Sequence, residues 1–379
     1  MTAHIHDNEE MTRMRTSPPF RADHVGSLLR PQHLLQARQT LSGQELREAE
    51  DEAIREVVRR QEEIGLQSAT DGEFRRASWH MDFIYQLGGI GQATDEQITV
   101  RFHNEQGDIE FTPAALRVHD KIRLERPIFA DDFAFLRDTV TSAVPKLTIP
   151  SPSMVHYRGG PASIDAGVYP DVEEFWADLS AAYAEQVRRI GELGCTYLQF
   201  DDTSLAYLND PAQRAELAER GDDADHMHLR YIKQINAALA AKPEGMTVTT
   251  HMCRGNFRSS WAASGSYDFV AEALFSELAV DGFFLEFDDE RSGGFEPLRF
   301  VPPGKMVVLG LVTTKRGELE SKDTLKRRID EAAKYVDLDQ ICLSPQCGFS
   351  STVEGNVLTA DQQFAKLALI AETAREVWG

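Results

Sequence analysis

The feature that most constrains the fold is a regular alternation of short apolar runs with longer amphipathic segments along the 379-residue chain. The apolar runs predict eight strands, at residues 22–26, 66–70, 146–150, 197–201, 246–251, 282–287, 306–312 and 339–344. The amphipathic segments predict helices at 44–64, 172–193, 211–242, 265–279, 321–335 and 360–377. Eight strands separated by helices are typical of the (β/α)8, or TIM, barrel, an α/β fold.

One span interrupts this alternation. Residues 79–145 hold far more than one helix, and ITVRFHNEQGDIEFTP alternates apolar and polar residues on both sides of QGD. Such a pattern is typical of a β-hairpin, so we predict a hairpin-containing insertion after the second strand. Insertions at this end of a barrel often shape a substrate pocket. The predicted domains are a mobile polar tail at 1–19 and one barrel domain at 20–379.

Polar side chains follow every predicted strand at its carboxyl end. In chain order they are His24 and Ser27; Asp71 and Glu73; Ser151, Ser153 and His156; Asp201 and Asp202; His251 and Cys253; Glu286; Thr313 and Thr314; and Cys347. Barrel enzymes build their active sites from the carboxyl ends of the strands. The sequence therefore predicts an active site at this face of the barrel.

Four of these residues have the chemistry of a zinc site. His251 and Cys253 lie in THMCRGN, Glu286 in FFLEFDD and Cys347 in LSPQCGF. Two thiolates, an imidazole and a carboxylate complete a tetrahedral Zn²⁺ site with a total charge of about −1. Such a centre is a poor Lewis acid for making hydroxide, but it holds an incoming thiol as a thiolate. We therefore predict Zn²⁺ as the cofactor and alkyl transfer to sulfur as the reaction.

Composition excludes several classes of partner. The formal net charge of −21 argues against binding nucleic acid or an anionic membrane surface. No run of eighteen apolar residues is present, and MTAHIHDNEEMTRMRTS lacks the apolar region of a secretory signal. Four cysteines in a long acidic chain fit reduced thiols better than a disulfide framework. We expect a cytoplasmic protein, and its acidic surface is compatible with a homodimer.

With these motifs in place, the chain resembles a known family. HVGSLLRP, DGEFRR, LQFDD, THMC, the Glu286 strand and PQCGF occur in this order from about residue 20 to the C-terminus. They resemble the catalytic barrel of cobalamin-independent methionine synthase, and more closely the short, single-barrel methionine-synthase-like proteins of bacteria. The resemblance implies a barrel, zinc dependence and transfer of a methyl group to the thiol of homocysteine or a similar amino thiol.

The resemblance also implies roles for individual residues. His251, Cys253, Glu286 and Cys347 match the zinc ligands of the family. The matches to substrate-binding residues are Ser27 at the homocysteine carboxylate, Glu73 and Asp201 at its ammonium, and Tyr157 near the position where a pterin ring stacks. Anionic partners for the ammonium are physically reasonable, because a desolvated cation needs them.

The chain departs from the family where the donor binds. Full-length members carry two barrels, and the general-acid histidine of the family is replaced here by Val312. A folate donor leaves as an amine that needs a proton, so this loss removes a factor of roughly 10²–10⁴. Methylfolate is therefore in question, and a methylcorrinoid or another activated methyl compound becomes an alternative. His156 and His24 are candidate replacement acids, and Asp202 either orients a ligand or forms an ion pair.

Other interpretations remain open. Glu73 and Asp201 could be rim carboxylates that pair with Arg75, Arg76 or Arg291. A second enzyme hypothesis is zinc-dependent alkylation of coenzyme M by an epoxide, whose sulfonate would use Arg75, Arg158 or Arg291. A related porphyrin-binding decarboxylase would have no use for two cysteines at strand ends. The hypothesis from another class is a non-catalytic zinc barrel that binds a corrinoid protein.

Overall fold

The computed structural model describes residues 15–93, 100–104, 107–111 and 115–379. Residues 1–14 of the predicted polar tail lie outside the described residues, as do parts of the predicted insertion. Where the described chain begins, the Arg15 guanidinium donates to the carbonyl of Pro19 at 2.8 Å, and the Gln67 side chain donates to the carbonyl of Arg15 at 3.1 Å.

The protein is an α/β barrel built around a parallel sheet. The described strands are β1 (Ser68–Ala69), β2 (Gly88–Ala93), β3 (Val100–Asn104), β4 (Gly107–Phe111), β5 (Ala115–Arg123), β6 (Val144–Pro150), β7 (Tyr197–Asp202), β8 (Thr247–Met252), β9 (Gly282–Glu286), β10 (Met306–Val312) and β11 (Ile341–Pro345). The main sheet has the order β1-β6-β7-β8-β9-β10-β11, and every pair in it is parallel. Its carboxyl ends therefore open on one face.

Helices connect these strands. They are α1 (Gln32–Thr40), α2 (Gly43–Ile64), α3 (Met81–Ile84), α4 (Ala130–Thr139), α5 (Ser153–Gly159), α6 (Val172–Glu192), α7 (Ser204–Tyr207), α8 (Pro211–Glu219), α9 (Met227–Leu239), α10 (Asp268–Glu277), α11 (Lys322–Ala332) and α12 (Ala360–Trp378). The predicted helix 211–242 is two helices, α8 and α9, because Gly221 adopts a left-handed φ of 92° between them. No helix in the described part of the chain is both long and apolar enough to span a bilayer.

The amphipathic helices bury their apolar faces, as their sequence pattern predicts. On α2, the apolar residues Ala53, Ile54, Val57 and Val58 are buried. The strands differ, because parallel strands inside a barrel are covered on both faces, and all seven residues of β10 are buried. The site residues at the strand ends are therefore attached to a tightly packed core.

The prediction of strand 22–26 is wrong in detail. Only Ala22 forms a parallel bridge, to Leu343 of β11. The buried Asp23 carboxylate accepts hydrogen bonds from the backbone amides of Phe20 at 3.1 Å and His24 at 2.8 Å. Because these amides bond to a side chain, they are not available for a regular strand ladder.

The second predicted strand, 66–70, is also shorter than expected. It contributes only the two residues of β1. The side chain of Gln61 on α2 pairs with both backbone groups of Thr70, at 3.0 Å to its amide and 2.9 Å to its carbonyl. The strand therefore ends before Thr70.

The prediction of a hairpin-containing insertion is confirmed. Between β1 and β6, β2 pairs with β5 and β3 pairs with β4, both antiparallel. The β3–β4 hairpin reaches the loop that follows β8, where the backbones of His103 and Trp261 exchange hydrogen bonds of 2.6 and 2.9 Å. The rings of Phe102 and Phe257 pack there at 5.4 Å between centroids. The insertion therefore covers part of the barrel mouth.

Candidate active site

The four predicted metal ligands lie together at the carboxyl ends of β8, β9 and β11. One ligand atom from each of His251, Cys253, Glu286 and Cys347 lies within 4.8 Å of every other, and all four side chains are buried. The sulfurs of Cys253 and Cys347 are 3.5 Å apart. Two thiolates bound to one tetrahedral zinc at about 2.3 Å would be about 3.8 Å apart. The cluster therefore has the donor set and the compactness that a zinc ion needs.

Backbone contacts fix two of these ligands. The Cys253 amide donates to the carbonyl of Asp202 at the end of β7, at 2.8 Å. The Glu286 amide donates to the hydroxyl oxygen of Tyr267 at 2.9 Å, and one Glu286 carboxylate oxygen accepts from the Arg254 amide at 2.9 Å. The other Glu286 oxygen and both ring nitrogens of His251 are buried and have no hydrogen-bond partner among the described residues. Buried polar atoms of this kind are available to bind a metal ion.

Burial changes the protonation of the cluster. It raises the pKa of Glu286 to about 7 and lowers the pKa of His251 to about 3. The contact with Cys347, followed by burial, raises the pKa of Cys253 well above its usual range. The imidazole is therefore neutral and free to ligate at neutral pH, while the positive charges of Lys315 and Arg254 do not offset the burial of Glu286. A divalent cation would supply additional positive charge.

A second group of polar residues lies in the same cavity. Glu73 and Asp201 are both buried, and burial raises the pKa of each carboxyl, with the charge of Glu73 adding to the effect on Asp201. Glu73 accepts from the Thr148 hydroxyl at 2.7 Å and lies 3.5 Å from the Arg76 guanidinium, while its second oxygen has no partner among the described residues. The Asp201 carboxyl accepts a hydrogen bond from the side-chain amide of Gln199 at 2.7 Å. Two buried carboxyls with spare acceptor capacity favour a cationic ligand.

Ser27 lies beside this pair and close to the Cys347 loop. Its hydroxyl accepts from the amide of Ser350 at 3.3 Å, and its carbonyl accepts from the amide of Phe349 at 2.9 Å. A Cβ at Gly348 would come within 1.9 Å of the Ser27 hydroxyl. Glycine at 348 therefore lets the loop that carries Cys347 approach Ser27.

One cavity of about 300 Å³ connects these groups. Ser27, Glu73, Asp201, His251, Cys253 and Cys347 all line it. Its wall also contains residues that we did not predict as site residues: Trp79, His80, Tyr85, Phe102, Tyr207 and Phe257. The first four belong to the insertion, and the only sequence signal for them was its predicted position on the barrel mouth.

Four candidate residues from the sequence analysis lie outside the lining of this cavity: His156, His24, Asp202 and Tyr157. His156 lies between helices, with one ring nitrogen 3.0 Å from the Tyr231 hydroxyl and the other 3.4 Å from Asp222. Burial lowers its pKa to about 3, so it is neutral near pH 7. His24 is fully buried, and burial lowers its pKa to about 4. Neither position supports the role of a replacement acid.

Asp202 and Tyr157 are held by neighbouring side chains. The Asp202 carboxylate accepts from the hydroxyls of Ser151, Ser153 and Ser204. It therefore fixes the end of β7. Tyr157 faces a separate polar cavity of about 560 Å³, where its hydroxyl donates to Gln213 at 2.8 Å and its ring packs edge-on against Tyr207.

The arginines proposed for a sulfonate have different positions. Arg75 pairs with carboxylates on α2 and α4, outside the cavity. Arg291 pairs with Asp289 at 2.5 Å and lies over the ring of Trp261. Arg158 is the one of the three that lines the cavity. Of the three arginines that the coenzyme M hypothesis would use for the sulfonate, one therefore lines the cavity.

Comparison with known proteins identifies the family. Residues 124–373 match the family model described as "Cobalamin-independent synthase, Catalytic domain". The chain belongs to the cobalamin-independent methionine synthase family. It is 44% identical to the protein YxjH of Bacillus subtilis (strain 168), over 97% of each chain. It is 24% identical to the methionine synthase of Pyrococcus abyssi, over 86% of this chain and 84% of that one.

A solved structure agrees with this family assignment. A Listeria monocytogenes protein described as a vitamin-B12-independent methionine synthase superposes with a TM-score of 0.76 at 35% identity. The superposition covers 96% of this chain and 100% of that one. The fold and the membership of the short, single-domain form of the family, both predicted from the motifs, are confirmed.

Proposed function

We propose that this protein is a zinc-dependent methyltransferase that transfers a methyl group to the thiol of homocysteine or a similar amino thiol. The supporting observation is that three members of a compact cluster with metal-ligand chemistry, His251, Cys253 and Cys347, line the same cavity as the two buried carboxyls Glu73 and Asp201. An amino thiol has one functional group for each set, since its sulfur is a soft metal ligand and its amine is a cation.

The residues at the amino-acid end of the cavity orient the acceptor. Glu73 and Asp201 receive the ammonium, whose charge compensates two carboxyls that burial otherwise drives toward protonation. Ser27 and the nearby amides of the Cys347 loop receive the carboxylate. This orientation directs the thiol toward Cys253 and Cys347.

The zinc ligands in this proposal are His251, Cys253, Glu286 and Cys347. A zinc ion bound there would lower the pKa of the acceptor thiol and keep its sulfur nucleophilic at neutral pH. The sulfur lone pair then attacks the methyl carbon of the donor, and the bond from that carbon to its leaving atom breaks. The insertion limits the access of water to this step by covering part of the barrel mouth.

The donor side of the proposal departs from a folate enzyme. Val312 is fully buried at the end of β10. Its aliphatic side chain has no acidic group, so it cannot act as the general acid that the family has at this position. Because a folate amine needs protonation to leave, an activated donor such as a methylcorrinoid or another methyl compound fits these residues better than methylfolate. The coenzyme M hypothesis would leave Glu73 and Asp201 without a cationic partner and is the weaker enzyme alternative.

X-ray absorption at the zinc edge tests this proposal. Zinc-loaded protein is measured alone, with homocysteine and with homoserine, which has a hydroxyl in place of the thiol. We expect one additional zinc–sulfur contact with homocysteine and none with homoserine. An unchanged spectrum with homocysteine would reject the proposal and would favour the alternative of a non-catalytic zinc barrel that partners a corrinoid protein.

A further inference from the structure

The part of the cavity that the insertion contributes is rich in aromatic rings. Trp79, Tyr85 and Phe102 come from the insertion, and Tyr207 and Phe257 face them from the barrel loops. The ring of Trp79 lies 4.4 Å from that of His80, and Phe102 packs on Phe257 at 5.4 Å. Aromatic walls of this kind bind compact organic cations through the negative faces of the rings.

The charge of the cavity also favours a cation. Among the described residues that line it, four are carboxylic acids, Glu73, Asp82, Asp201 and Glu354, while the one arginine or lysine is Arg158. The whole chain carries a net charge of −21. In the proposed function the ammonium of the acceptor offsets Glu73 and Asp201, which leaves Asp82 and Glu354 against Arg158. The remaining charge favours a cationic donor over an anionic one such as a glutamate-tailed pterin.

The size of the cavity limits the donor further. Its volume of about 300 Å³ lies at the lower end of the usual range for small-molecule sites, which is about 300–1,000 Å³. The acceptor amino acid occupies part of that space. Because the hairpin is joined to the β8 loop through the backbones of His103 and Trp261, it narrows the barrel mouth and favours a small donor over a flat macrocycle.

The histidines of the cavity also favour a leaving group that needs no proton. Apart from the predicted metal ligand His251, His80 is the one histidine among the described lining residues. Burial, followed by the charge of Arg158, lowers the pKa of His80 well below its usual range. Its imidazole is therefore neutral at neutral pH, which favours a donor whose leaving group needs no proton.

Four properties of the cavity favour one class of donor. They are its aromatic walls, its negative charge, its small volume and the neutral imidazole of His80. We propose that the methyl donor is a small methylsulfonium cation, bound by the aromatic rings that the insertion adds to the cavity. This inference rests on the proposed function, because it names the donor for the same acceptor site.

The chemistry balances without an additional reactant. The thiolate sulfur forms a bond to the methyl carbon, the carbon–sulfonium bond breaks, and its electron pair stays on the departing sulfur. A thiolate and a sulfonium cation thus become two neutral thioethers, and no proton is consumed. The loss of the positive charge also weakens the hold of the aromatic rings on the leaving compound.

A donor panel tests the inference with the zinc-loaded full chain and homocysteine. The donors are S-methylmethionine, dimethylsulfoniopropionate, trimethylsulfonium, methyltetrahydrofolate with one and with three glutamates, and methylcobalamin, each with an isotope-labelled methyl group. We expect labelled methionine from at least one sulfonium, faster than from any folate or cobalamin donor. No transfer from the three sulfoniums, or faster transfer from a folate or from methylcobalamin, would overturn the inference.

Failure of the inference can be separated from failure of the proposed function. If homocysteine adds a sulfur to the zinc and methylcobalamin or methylfolate supplies the methyl group, the function holds and the sulfonium inference is overturned. If homocysteine adds no sulfur to the zinc, the proposed function itself fails.

A second measurement tests the aromatic contact directly. Choline should inhibit transfer from the sulfonium, whereas its neutral isostere 3,3-dimethylbutanol should inhibit about ten-fold more weakly. Phe102→Leu nearly keeps the apolar volume but loses a ring face, and Trp79→Phe keeps a smaller ring with a weaker cation–π contact, so Phe102→Leu should raise the sulfonium KM by about ten-fold and Trp79→Phe by less. Phe269→Leu, at a partly exposed position on α10, is the matched control and should leave KM unchanged. Equal inhibition by both isosteres, or unchanged KM in both cavity variants, would overturn the role of the rings.

Discussion

The two ends of the cavity are built in different ways. The end that we propose for the acceptor is formed by strand ends of the barrel. It contains buried polar atoms, on His251, Glu286 and Glu73, that have no partner among the described residues. The donor end is formed largely by the insertion, and its walls are mainly apolar and aromatic. Two buried polar atoms there, Nε2 of His80 and the hydroxyl of Tyr207, also have no partner among the described residues. Unpartnered buried atoms specify the chemistry of their ligand closely, because only a complementary group offsets their desolvation. Apolar walls specify only its size and, with aromatic rings, its charge.

The largest expected effect comes from breaking the acceptor end at a metal ligand. Cys347→Ser replaces a soft sulfur with a poorly ligating hydroxyl while nearly preserving volume. We expect zinc affinity and methyl transfer each to fall by at least about a hundred-fold, since changes to groups that only support a ligand already cost about 10–100-fold. Zinc content by metal analysis and turnover by labelled product measure this.

Cys195→Ser is the matched control for this substitution. Cys195 is buried like Cys347, but its sulfur contacts the carbonyl of Tyr197 at the opposite end of β7 from the site. It should retain full zinc binding. Retention of one zinc per chain and normal turnover by the Cys347 variant would refute the assignment of Cys347 as a ligand.

The next effect concerns the ammonium-binding carboxyls. Glu73→Gln or Asp201→Asn should raise the KM for the amino thiol by about a hundred-fold, because removal of one partner from a buried charge pair costs about 2–5 kcal/mol. Steady-state kinetics measures the change. Glu50→Gln, at a buried carboxyl that pairs with Arg38 outside the cavity, should leave this KM unaltered.

The same variants should affect the free protein in the opposite direction. Burial raises the folded-state pKa of Glu73 above its unfolded value, so its contribution to stability is present at low pH and is lost as pH rises through the folded pKa. Glu73→Gln removes this loss. Without ligand, the stability of the variant relative to the wild type should therefore increase as pH rises through the folded pKa of Glu73, as measured in denaturant titrations. Two results together would mean that Glu73 is only a structural partner of Arg76. They are a KM increase well below the expected value of about a hundred-fold and a variant that is less stable than the wild type.

The sequence predicted the acceptor end better than the donor end. The polar residues at the ends of β7, β8, β9 and β11 could be located because a parallel sheet brings its carboxyl ends to one face. The hairpin could be predicted from its alternation around Gly107. Which of its side chains enter the cavity could not be predicted, since that depends on how the hairpin packs on the loop after β8.

The errors near the beginning of the barrel have one physical origin. Side chains take backbone groups that a strand would use, as Asp23 does at residues 20–24 and Gln61 does at Thr70. Such long-range or local competition is invisible in hydrophobic patterning. For the same reason His156, which follows a strand end in sequence, could not be distinguished from a cavity residue until α5 was seen to direct it toward Tyr231 and Asp222.

A smaller effect is expected when the donor end loses its imidazole. If the leaving group needs no proton, His80→Gln should lower turnover by less than about ten-fold, in contrast to the 10²–10⁴-fold expected for a general acid. Zinc content and the thiol-dependent absorption change should stay at wild-type values. A loss of a thousand-fold, together with the disappearance of one limb of the pH–rate profile, would identify His80 as the missing acid.

The smallest effect on activity is expected at His156, which the sequence named but which lies outside the cavity. His156→Gln should change turnover by less than about two-fold, and its consequence should instead be a change in acid stability. The folded-state pKa of about 3 lies below the unfolded value, so the contribution of His156 to stability is complete above about pH 6.5. It is lost as pH falls toward 3, at up to about 1.4 kcal/mol per pH unit.

The glutamine variant lacks this titration, so its free energy of unfolding should fall less steeply between pH 6.5 and 4 in urea titrations. The slope should not become zero, because burial lowers the pKa of His24 to about 4 and His24 titrates in the same way. His226→Gln is the control, since this exposed ring contacts water in both the folded and the unfolded chain. A buried structural histidine affects the pH slope of stability and not the turnover. An unchanged slope combined with a large loss of turnover would therefore show that His156 takes part in the reaction.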